Sequence, residues 1–522
     1  MWWIILCSAL TSLVMVCFSA RIVTLVQLDG YKPKRTDKIK QILSKQQLVA
    51  LATAVYLYII YLLSILLEMP NFQHFIALLS LITSLYQIVT ISTMDTRQRL
   101  AFTPRLIRWQ VIYFVILFLS YWLGFWLGSL IVIEHVGLMY LFLPFIILLN
   151  WQILRLSLWL DFPIEKLIHR HFIKQAQTRL ATYQDLIVIG VTGSCGKTSV
   201  KNFLTTILSA NFKVFCTPHN YNTPMGICKA VQEMPAHTQI FVVEMGARQV
   251  GDIAELCEIV QPQYGILTTI CPQHLDSFGN IQNIISTKCE LVDYIADKSH
   301  CMIGDNEYLE QMQSKIKDCI LVGANGFCSA RNISCSSQGS DFDILIDDSA
   351  VHAHTSLIGK HNILNILLAV TCAYKLGMSL DTIASQISTI QPVEHRLQVT
   401  QNNGVTIIDD SYNSNVVGAK LAIDSLSLFD GDKIVMTQGV VELGKSQASQ
   451  NFEIGAYIAR VATKSIVFGV NSNDLRQGML DGGMSHKDIF VVQNLQEAQS
   501  VLAEIVQQNS VVLIQNDLTD NY

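Results

Sequence analysis

A glycine-rich loop near the middle of the chain carries one lysine and several hydroxyl groups in a pattern suited to binding phosphate. The loop, Val191–Ser199, reads V-T-G-S-C-G-K-T-S; it follows an apolar run that predicts a buried strand and precedes a helix predicted near Val200–Ala210. In that order, backbone N–H groups and the helix N-terminus surround phosphate oxygens. Lys197 would reach the β- and γ-phosphates, and the Thr198 hydroxyl would bind Mg²⁺. The segment therefore predicts a nucleoside triphosphate site, with a chance match in an ordinary loop as the alternative.

Two later side chains could complete a metal site around this loop. Glu244 ends a short apolar run, and its carboxylate is a hard oxygen ligand of the kind Mg²⁺ prefers. His274 lies in a polar loop and could serve a second metal position. Each also has a plainer interpretation, since Glu244 could cap a helix predicted at Arg248–Val260 and a lone histidine is usually structural.

Motifs along residues 186–516 resemble, in the same order, those of the Mur ligase family, the enzymes that build the peptidoglycan stem peptide. After the phosphate loop, in which Val191 replaces the first glycine of the general pattern, the matching segments are Thr217–Gly226, Phe241–Gly246, Pro272–Gly279, Thr287–Glu290, Gly359–Asn365, Glu394–Arg396 and Asp409–Asn415. The sequences E-M-G and D-D-S-Y-N, together with Val441–Gly444, are most similar to those of the family branch that adds D-Ala-D-Ala. Several independent motifs in one order are more specific than any one of them.

The resemblance implies ATP and two Mg²⁺ ions, with metal-binding roles for Thr198, Glu244, His274 and Lys288. In the family, CO₂ carbamylates the lysine that matches Lys288 and gives it a carboxylate-like end; an unmodified, phosphate-neutralising lysine is the alternative. Lys197, Lys288 and His274 are the implied catalytic residues. The implied nucleotide-binding residues are Gly193, Gly196, Lys197, Thr198, Ser199, His361, Asn362, Asn365, Arg396, Asp410 and Asn413.

Charge and composition separate the first third of the chain from the rest. Lys+Arg minus Asp+Glu is +7 over residues 1–160 and −12 over residues 161–522. Five apolar stretches reach the roughly 20 residues that a membrane-spanning helix needs: 2–20, 48–67, 72–94, 111–133 and 136–159. Eleven Lys/Arg lie in the connections after the first and third stretches, and none lies in the other two connections. This asymmetry predicts a multi-pass cell-membrane protein with its N-terminus outside and its later domains in the cytoplasm.

The sequence thus predicts an α/β protein with four parts. These are about five transmembrane helices (1–160), a basic linker helix (161–183), a phosphate-loop α/β domain that binds ATP (184–396) and a doubly wound, Rossmann-like α/β domain (397–522). The composition excludes disordered, collagenous and disulfide-stapled classes, and the acidic soluble part argues against nucleic acid as a partner.

By resemblance, we expect an ATP-dependent ligase that forms an amide bond through an acyl phosphate, adding D-Ala-D-Ala or a similar amine to a muramoyl-peptide precursor of peptidoglycan. Apolar spans replace the family's usual N-terminal uridine-binding domain, and the segment Leu513–Tyr522 lacks the Lys/Arg found near that end. The acceptor is therefore open between a soluble small molecule and a lipid-linked one. The alternatives are a ligase for another cell-envelope acceptor and a non-catalytic ATP-binding membrane scaffold.

Overall fold

The computed structural model describes residues 102–131, 138–412 and 415–515, together with Ala9, Ser12 and Gln27. The chain divides into two compact units, one comprising Met1–Arg170 with Asp520–Tyr522 and the other His171–Thr519. The predicted spans 2–20, 48–67 and 72–94 lie outside the described residues, apart from Ala9 and Ser12. Asn413, a predicted nucleotide-binding residue, also lies outside them.

Two long helices form the described part of the smaller unit. Helix α1 is Pro104–Ile131, and helix α2, Leu138–Leu180, continues into the larger unit. An ion cluster joins the helices: Arg108 Nε donates to Asp161 at 2.7 Å, and Glu165 accepts from Arg105 at 3.2 Å and pairs with Arg108. The predicted boundary at residue 160 lies within helix α2, which contains both the apolar stretch and the basic stretch that follows it.

One helical segment among the described residues, Pro104–Gly124, is long and apolar enough to cross a membrane. It overlaps the predicted span 111–133, and helix α2 contains the predicted span 136–159. A single such segment does not define a membrane protein, since core helices of soluble proteins share its length and composition. The described residues thus support one candidate span rather than five, and the five-span arrangement stays a prediction.

The first sheet of the larger unit has nine strands in the order β2-β3-β1-β4-β5-β6-β7-β8-β9. Each pair of neighbouring strands from β2–β3 to β6–β7 is parallel, whereas the pairs β7–β8 and β8–β9 are antiparallel. The strands are β1 (Ile187–Thr192), β2 (Val214–Cys216), β3 (Ile240–Glu244), β4 (Tyr264–Leu267), β5 (Cys301–Gly304), β6 (Ile320–Val322), β7 (Cys328–Ser336), β8 (Gly339–Ile346) and β9 (Ser349–Thr355). Its helices are α3 (Lys197–Leu208), α4 (Pro224–Glu233), α5 (Asp252–Val260), α6 (Leu275–Phe278), α7 (Ile281–Tyr294), α8 (Leu309–Ile316), α9 (Lys360–Lys375) and α10 (Leu380–Ile387), with a 3₁₀ turn at Lys298–His300.

The second sheet has six strands in the order β10-β11-β15-β12-β13-β14, with only the β10–β11 pair antiparallel. Its strands are β10 (Gln398–Asn402), β11 (Val405–Asp410), β12 (Lys433–Thr437), β13 (Lys464–Val467), β14 (Ile489–Val491) and β15 (Val511–Gln515). The helices are α11 (Val416–Ser425), α12 (Gln447–Ile458), α13 (Ser472–Asp481) and α14 (Leu495–Ile505), with 3₁₀ turns at Leu426–Leu428, Gly444–Ser446 and His486–Asp488. The strands that the sequence predicts at 405–409, 433–438, 465–470, 489–493 and 510–514 each overlap an observed one.

The apolar side chains of the two sheets are buried against the inner faces of the helices. Strand β1 is almost fully buried, with Ile189 and Val191 packed against Val200 and Leu204 of helix α3. A β-branched run between two helical layers is typical of a central parallel strand. Strand β1 lies between β3 and β4, where the strand order reverses, and ligands of such sheets bind beyond the carboxyl ends at this point. The fold thus brings the loops after β1, β3 and β4 to one edge.

Candidate active site

The phosphate loop connects strand β1 to helix α3 and depends on two glycines. Gly193 and Gly196 have φ values of 144° and 81°, which residues other than glycine rarely adopt. A Cβ on Gly193 would lie 2.0 Å from Thr268 Oγ1, and a Cβ on Gly196 would lie 2.4 Å from Asn365 Oδ1. The loop is therefore a backbone cradle that admits no side chain at either position. Asn365, predicted to bind nucleotide, lies against it.

Lys197 folds back over this cradle. Its Nζ donates to the carbonyl oxygens of Gly193 and Ser194, both at 2.9 Å. Burial lowers the pKa of Lys197, and Glu244 acts in the opposite direction. The buried Ser194 Oγ has no hydrogen-bond partner among the described residues. The Lys197 ammonium, which donates to loop carbonyls beside the Ser194 hydroxyl, is therefore placed to turn towards a phosphate bound in the loop.

Glu244, at the end of strand β3, is 3% exposed. Its Oε1 accepts from Asn222 Nδ2 at 3.1 Å, while the buried Oε2 forms an ion pair with Lys201 Nζ at 3.3 Å and has no hydrogen-bond donor among the residues that the structure describes. A buried carboxylate oxygen is costly unless something binds it. Glu244 therefore fits an Mg²⁺ ligand, as the sequence predicts.

No group of three His, Cys, Asp or Glu side chains gathers into a ready-made metal cage in the parts of the chain that the structure describes. Mg²⁺ is commonly bound by one or two carboxylates together with substrate phosphates and water. Glu244, a buried carboxylate beside a phosphate cradle, matches that mode. Thr198 and Ser199 begin helix α3 directly after the cradle, where a hydroxyl can reach the same ion.

Lys288 lies on helix α7 and is 3% exposed. Burial, and secondarily the charge of Lys197, lower its pKa to about 7. The carboxylates nearby are engaged elsewhere: Glu290 accepts from the amides of Gly251 and Ala254 at 2.7 and 2.9 Å, and Asp252 accepts from two other amides. Lys288 is thus a desolvated amine within electrostatic reach of Lys197.

His274 follows strand β4 and has a left-handed backbone, with φ of 54°. Its Nδ1 contacts Oε2 of Glu442, which belongs to the loop after β12 of the second sheet. Burial lowers the pKa of His274, against the opposing effect of Glu442. Lys197 and Arg248 are close enough to disfavour its protonation as well. The predicted histidine therefore lies beside the phosphate loop, held from the other sheet.

Three of the residues predicted to bind nucleotide, His361, Asn362 and Asn365, lie near the start of helix α9. The Nδ1 atom of His361 is buried and has no hydrogen-bond partner within the part of the chain that the structure describes, and burial lowers the pKa of this imidazole to about 4. Asn362 Nδ2 donates to the Ile358 carbonyl at 2.9 Å, which is a local structural role. Asn365 faces Gly196. Two of the three side chains are thus available to a ligand, and Asn362 holds the start of the helix.

The second sheet contributes residues at the end of strand β11. Burial raises the pKa of Asp410 to about 6, while Arg396 lowers it. The Arg396 guanidinium lies 4.7 Å from the centre of the Tyr412 ring, and its charge also acts on Lys197. Asn415 Nδ2 donates to Cys195 Sγ of the phosphate loop at 3.1 Å. Arg396 and Asp410 therefore lie at the site, and the second sheet touches the cradle itself.

Sequence reasoning missed three residues of this site. Lys201, one turn after Lys197, is 2% exposed and donates to the carbonyls of Thr217 and His219 at 2.9 and 3.0 Å. A lysine on the apolar face of helix α3 was the available signal for it. Glu442 lies in a motif to which no role was assigned. Asn415 is of a residue type that favours helix N-caps, and it does cap helix α11, but nothing in the sequence indicates its contact with Cys195.

Residues 191–373 match the Mur ligase middle domain, and residues 395–515 match the Mur ligase glutamate ligase domain. The chain contains the middle and C-terminal domains of the Mur ligase family. UDP-N-acetylmuramoyl-tripeptide–D-alanyl-D-alanine ligases from Haemophilus influenzae and Bacillus subtilis are 29% and 28% identical to it. Each alignment covers 52% of this chain, and 61% and 60% of the relative, respectively. The chain thus spans about three-fifths of the length of these relatives.

Solved Mur ligase structures share the fold. The MurF ligase from Thermotoga maritima in complex with ADP has a TM-score of 0.60 and 25% identity, covering 67% of this chain and 81% of that one. MurF from Acinetobacter baumannii has a TM-score of 0.62 and 24% identity, covering 68% and 78%. The α/β fold with two sheets that was predicted for residues 184–522 is confirmed in its class.

Proposed function

We propose that this protein is an ATP-dependent ligase that adds D-alanyl-D-alanine to a UDP-N-acetylmuramoyl tripeptide in peptidoglycan synthesis. The observation that carries the proposal is the convergence of Lys197, Glu244, His274 and Lys288 on one phosphate cradle, in a chain whose matched relatives bear that activity in their names. Those names specify a nucleotide-linked acceptor, which favours it over the lipid-linked one. A scaffold that only bound ATP would have no need of a buried carboxylate and a desolvated lysine beside the cradle.

The residues divide the work by charge. Bound ATP with Mg²⁺ would supply the phosphoryl group that activates the acceptor carboxylate as an acyl phosphate. Gly193 and Gly196 give phosphate oxygens access to the backbone of the loop. Lys197 would turn from the loop carbonyls to neutralise the phosphates, and the backbone N–H of Ser199, at the start of the helix, would donate to them as well. Thr198 and Glu244 would hold the first ion and His274 the second. The amine then attacks the carbonyl carbon, phosphate leaves, and the amine proton passes to solvent or a nearby base.

Lys288 would serve the site as a carbamate. An ammonium cannot ligate a cation, but a lysine whose pKa lies near 7 has a substantial neutral fraction, and a neutral amine can attack CO₂. The product carries a negative, carboxylate-like end and suits a site where two metal ions and a carboxyl substrate meet. In that form Lys288 would help to hold Mg²⁺ at the site.

Residues from the second sheet would close the site. Arg396 and Asp410 would contact the nucleotide together with His361 and Asn365, and Asn413 belongs to the same motif. Closure excludes water, which would otherwise hydrolyse an acyl phosphate. The connection between the sheets contains His395 and Leu397 with φ values of 58° and 48°, and we propose this connection as the hinge. The domain boundary near residue 396 and the membrane anchoring of residues 1–160 belong to the same proposal.

The test is phosphate release by the purified full-length chain. With ATP, Mg²⁺, UDP-N-acetylmuramoyl tripeptide and D-alanyl-D-alanine, we expect one phosphate for each amide bond, and none when either substrate is omitted. K197A should abolish release, whereas K315A, which removes an exposed lysine paired only with Asp293, should not. Phosphate release that ignores both substrates would overturn the proposal.

A further inference from the structure

The loop that follows strand β12 is held unusually firmly from within its own domain. The buried side chain of Asn451 accepts from the Val440 amide and donates to the Val440 carbonyl, both at 2.8 Å. Asn471 Nδ2 donates to the carbonyls of Gln438 and Val440 at 3.1 and 3.2 Å. Two buried asparagines therefore bind the backbone of one short segment, which fixes its position relative to the sheet.

This braced loop presents Glu442 in a strained backbone conformation. Its φ is 62°, in the left-handed region that a glutamate rarely adopts, and its partner His274 has φ of 54°. The side chains meet through Glu442 Oε2 and His274 Nδ1, with exposed fractions of 9% and 18%. Backbone strain persists only where the surroundings over-determine the conformation, and it concentrates at functional contacts. The contact joins two sheets through residues 168 positions apart in the chain.

The chemistry of the pair follows from which atoms are engaged. An ionised carboxylate can only accept, so Nδ1 carries the proton and Nε2 keeps the lone pair that can bind a metal. A histidine that ligates a metal usually donates its other N–H to a carboxylate or carbonyl, which fixes the tautomer and the ring orientation. Here the carboxylate comes from the opposite domain.

We propose that Glu442 is a positioning residue that orients His274 as a metal ligand, and that it does so only when the second sheet closes on the first. The inference rests on the proposed function, since His274 must bind a metal for its orientation to matter. It adds a mechanical consequence: the second metal position is complete only in the closed state. Metal binding and closure must then favour each other by the same factor, because such coupling is reciprocal.

Mn²⁺ binding in the presence of the non-hydrolysable analogue AMP-PNP tests the proposal without turnover. Electron paramagnetic resonance counts free Mn²⁺, and small-angle scattering reports closure on the same samples. We expect E442A and H274A each to weaken one class of Mn²⁺ sites by about 10- to 100-fold, the usual effect of losing such a partner. The E442A/H274A double variant should be no weaker than H274A alone. E442Q keeps an oxygen that accepts from Nδ1 and should recover most of the affinity.

The matched control is E453Q, which alters an exposed glutamate of the same domain that pairs with Lys420 at 3.3 Å and should bind Mn²⁺ like the parent. In E442A, compaction by AMP-PNP should need correspondingly more Mn²⁺. Normal Mn²⁺ binding by E442A with weakened binding by H274A would overturn the role of Glu442 while leaving the ligase proposal intact. Normal binding by H274A would overturn both metal roles. Additive losses in the double variant would assign Glu442 an independent role and also overturn the proposal.

Discussion

Supplying or withholding CO₂ should change the chemical state of Lys288, and the structure gives the size of the effect. A lysine of ordinary pKa near 10.4 is neutral in about one molecule in 2,500 at pH 7, whereas a pKa of about 7 makes about half of the molecules neutral. Burial of Lys288 therefore raises the reactive amine about a thousandfold. The new bond joins the lysine nitrogen to the CO₂ carbon, and the amine proton leaves to solvent.

The expected pH dependence has a definite sign. The pKa of Lys288 is lowered in the folded protein, so the reactive neutral form is lost as the pH falls through about 7. The neutral fraction falls about tenfold between pH 8 and pH 6, and the proton released on carbamate formation steepens the trend. At fixed dissolved CO₂ we expect at least ten times more carbamate at pH 8 than at pH 6.

Carbon-13 NMR of the protein in ¹³C-labelled bicarbonate measures this directly. A carbamate resonance should appear in the parent and in K315A, and it should be missing from K288A. Ligase activity should fall in CO₂-free buffer and return with bicarbonate, and short carboxylic acids should partly rescue K288A. A parent protein that shows no Lys288-dependent resonance at saturating bicarbonate, or one that appears only near pH 10, would refute the reasoning.

Three further predictions concern backbone space, a buried cation and a buried acid. G196A should weaken AMP-PNP binding at least tenfold by calorimetry because its Cβ would meet Asn365 Oδ1 at 2.4 Å; G279A has a similar φ of 79° with nothing within 4 Å, so equal losses in both would contradict the steric argument. K201M should lower the free energy of unfolding by about 3–5 kcal/mol in denaturant titrations, as breaking a buried pair does, and a loss below about 1 kcal/mol would argue against a buried ammonium. Since the pKa of Asp410 rises from 3.8 to about 6 on folding, stability falls as pH rises through that window; D410N should be more stable than the parent by about 3 kcal/mol at pH 8 and nearly equal near pH 4, and a gain at both pH values would refute the assignment.

Local patterns predicted the elements of the larger unit well. The phosphate loop follows strand β1 and begins helix α3 as expected, because glycines, a β-branched run and a helical period are properties of adjacent residues. The predicted domain boundary at residue 160 lies inside helix α2. The change from apolar to basic residues at 160 alters the surroundings of the helix without ending it, and Pro163 lies inside it. Proline removes one backbone hydrogen bond there, which the rest of a long helix tolerates.

Contacts between distant segments were beyond sequence reasoning. The pairing of His274 with Glu442 depends on where two sheets meet, and neither residue type nor spacing encodes that. Lys201 illustrates the opposite error. A lysine on an apolar helix face is usually an exposed residue that covers its neighbours, but here two loop carbonyls and Glu244 replace its water. Tertiary structure decides between the two outcomes.

Burial shifts the pKa values of three site residues in the direction that disfavours their charged forms, which destabilises the ligand-free protein. Burial disfavours the charged forms of Lys197 and Lys288, whose like charges also oppose each other, and it disfavours the charged form of Asp410. A bound polyphosphate would stabilise the two ammonium groups, and carbamylation would reverse the sign of one of them. Lys197 and Lys288 therefore weaken the ligand-free fold and would be stabilised by bound phosphates, whereas the acidic Asp410 would not. Ligands that bind only the folded state stabilise it by an amount that grows with the logarithm of the ligand concentration divided by Kd, so the lysine charges that destabilise the empty site make the stability of the fold depend on its ligands.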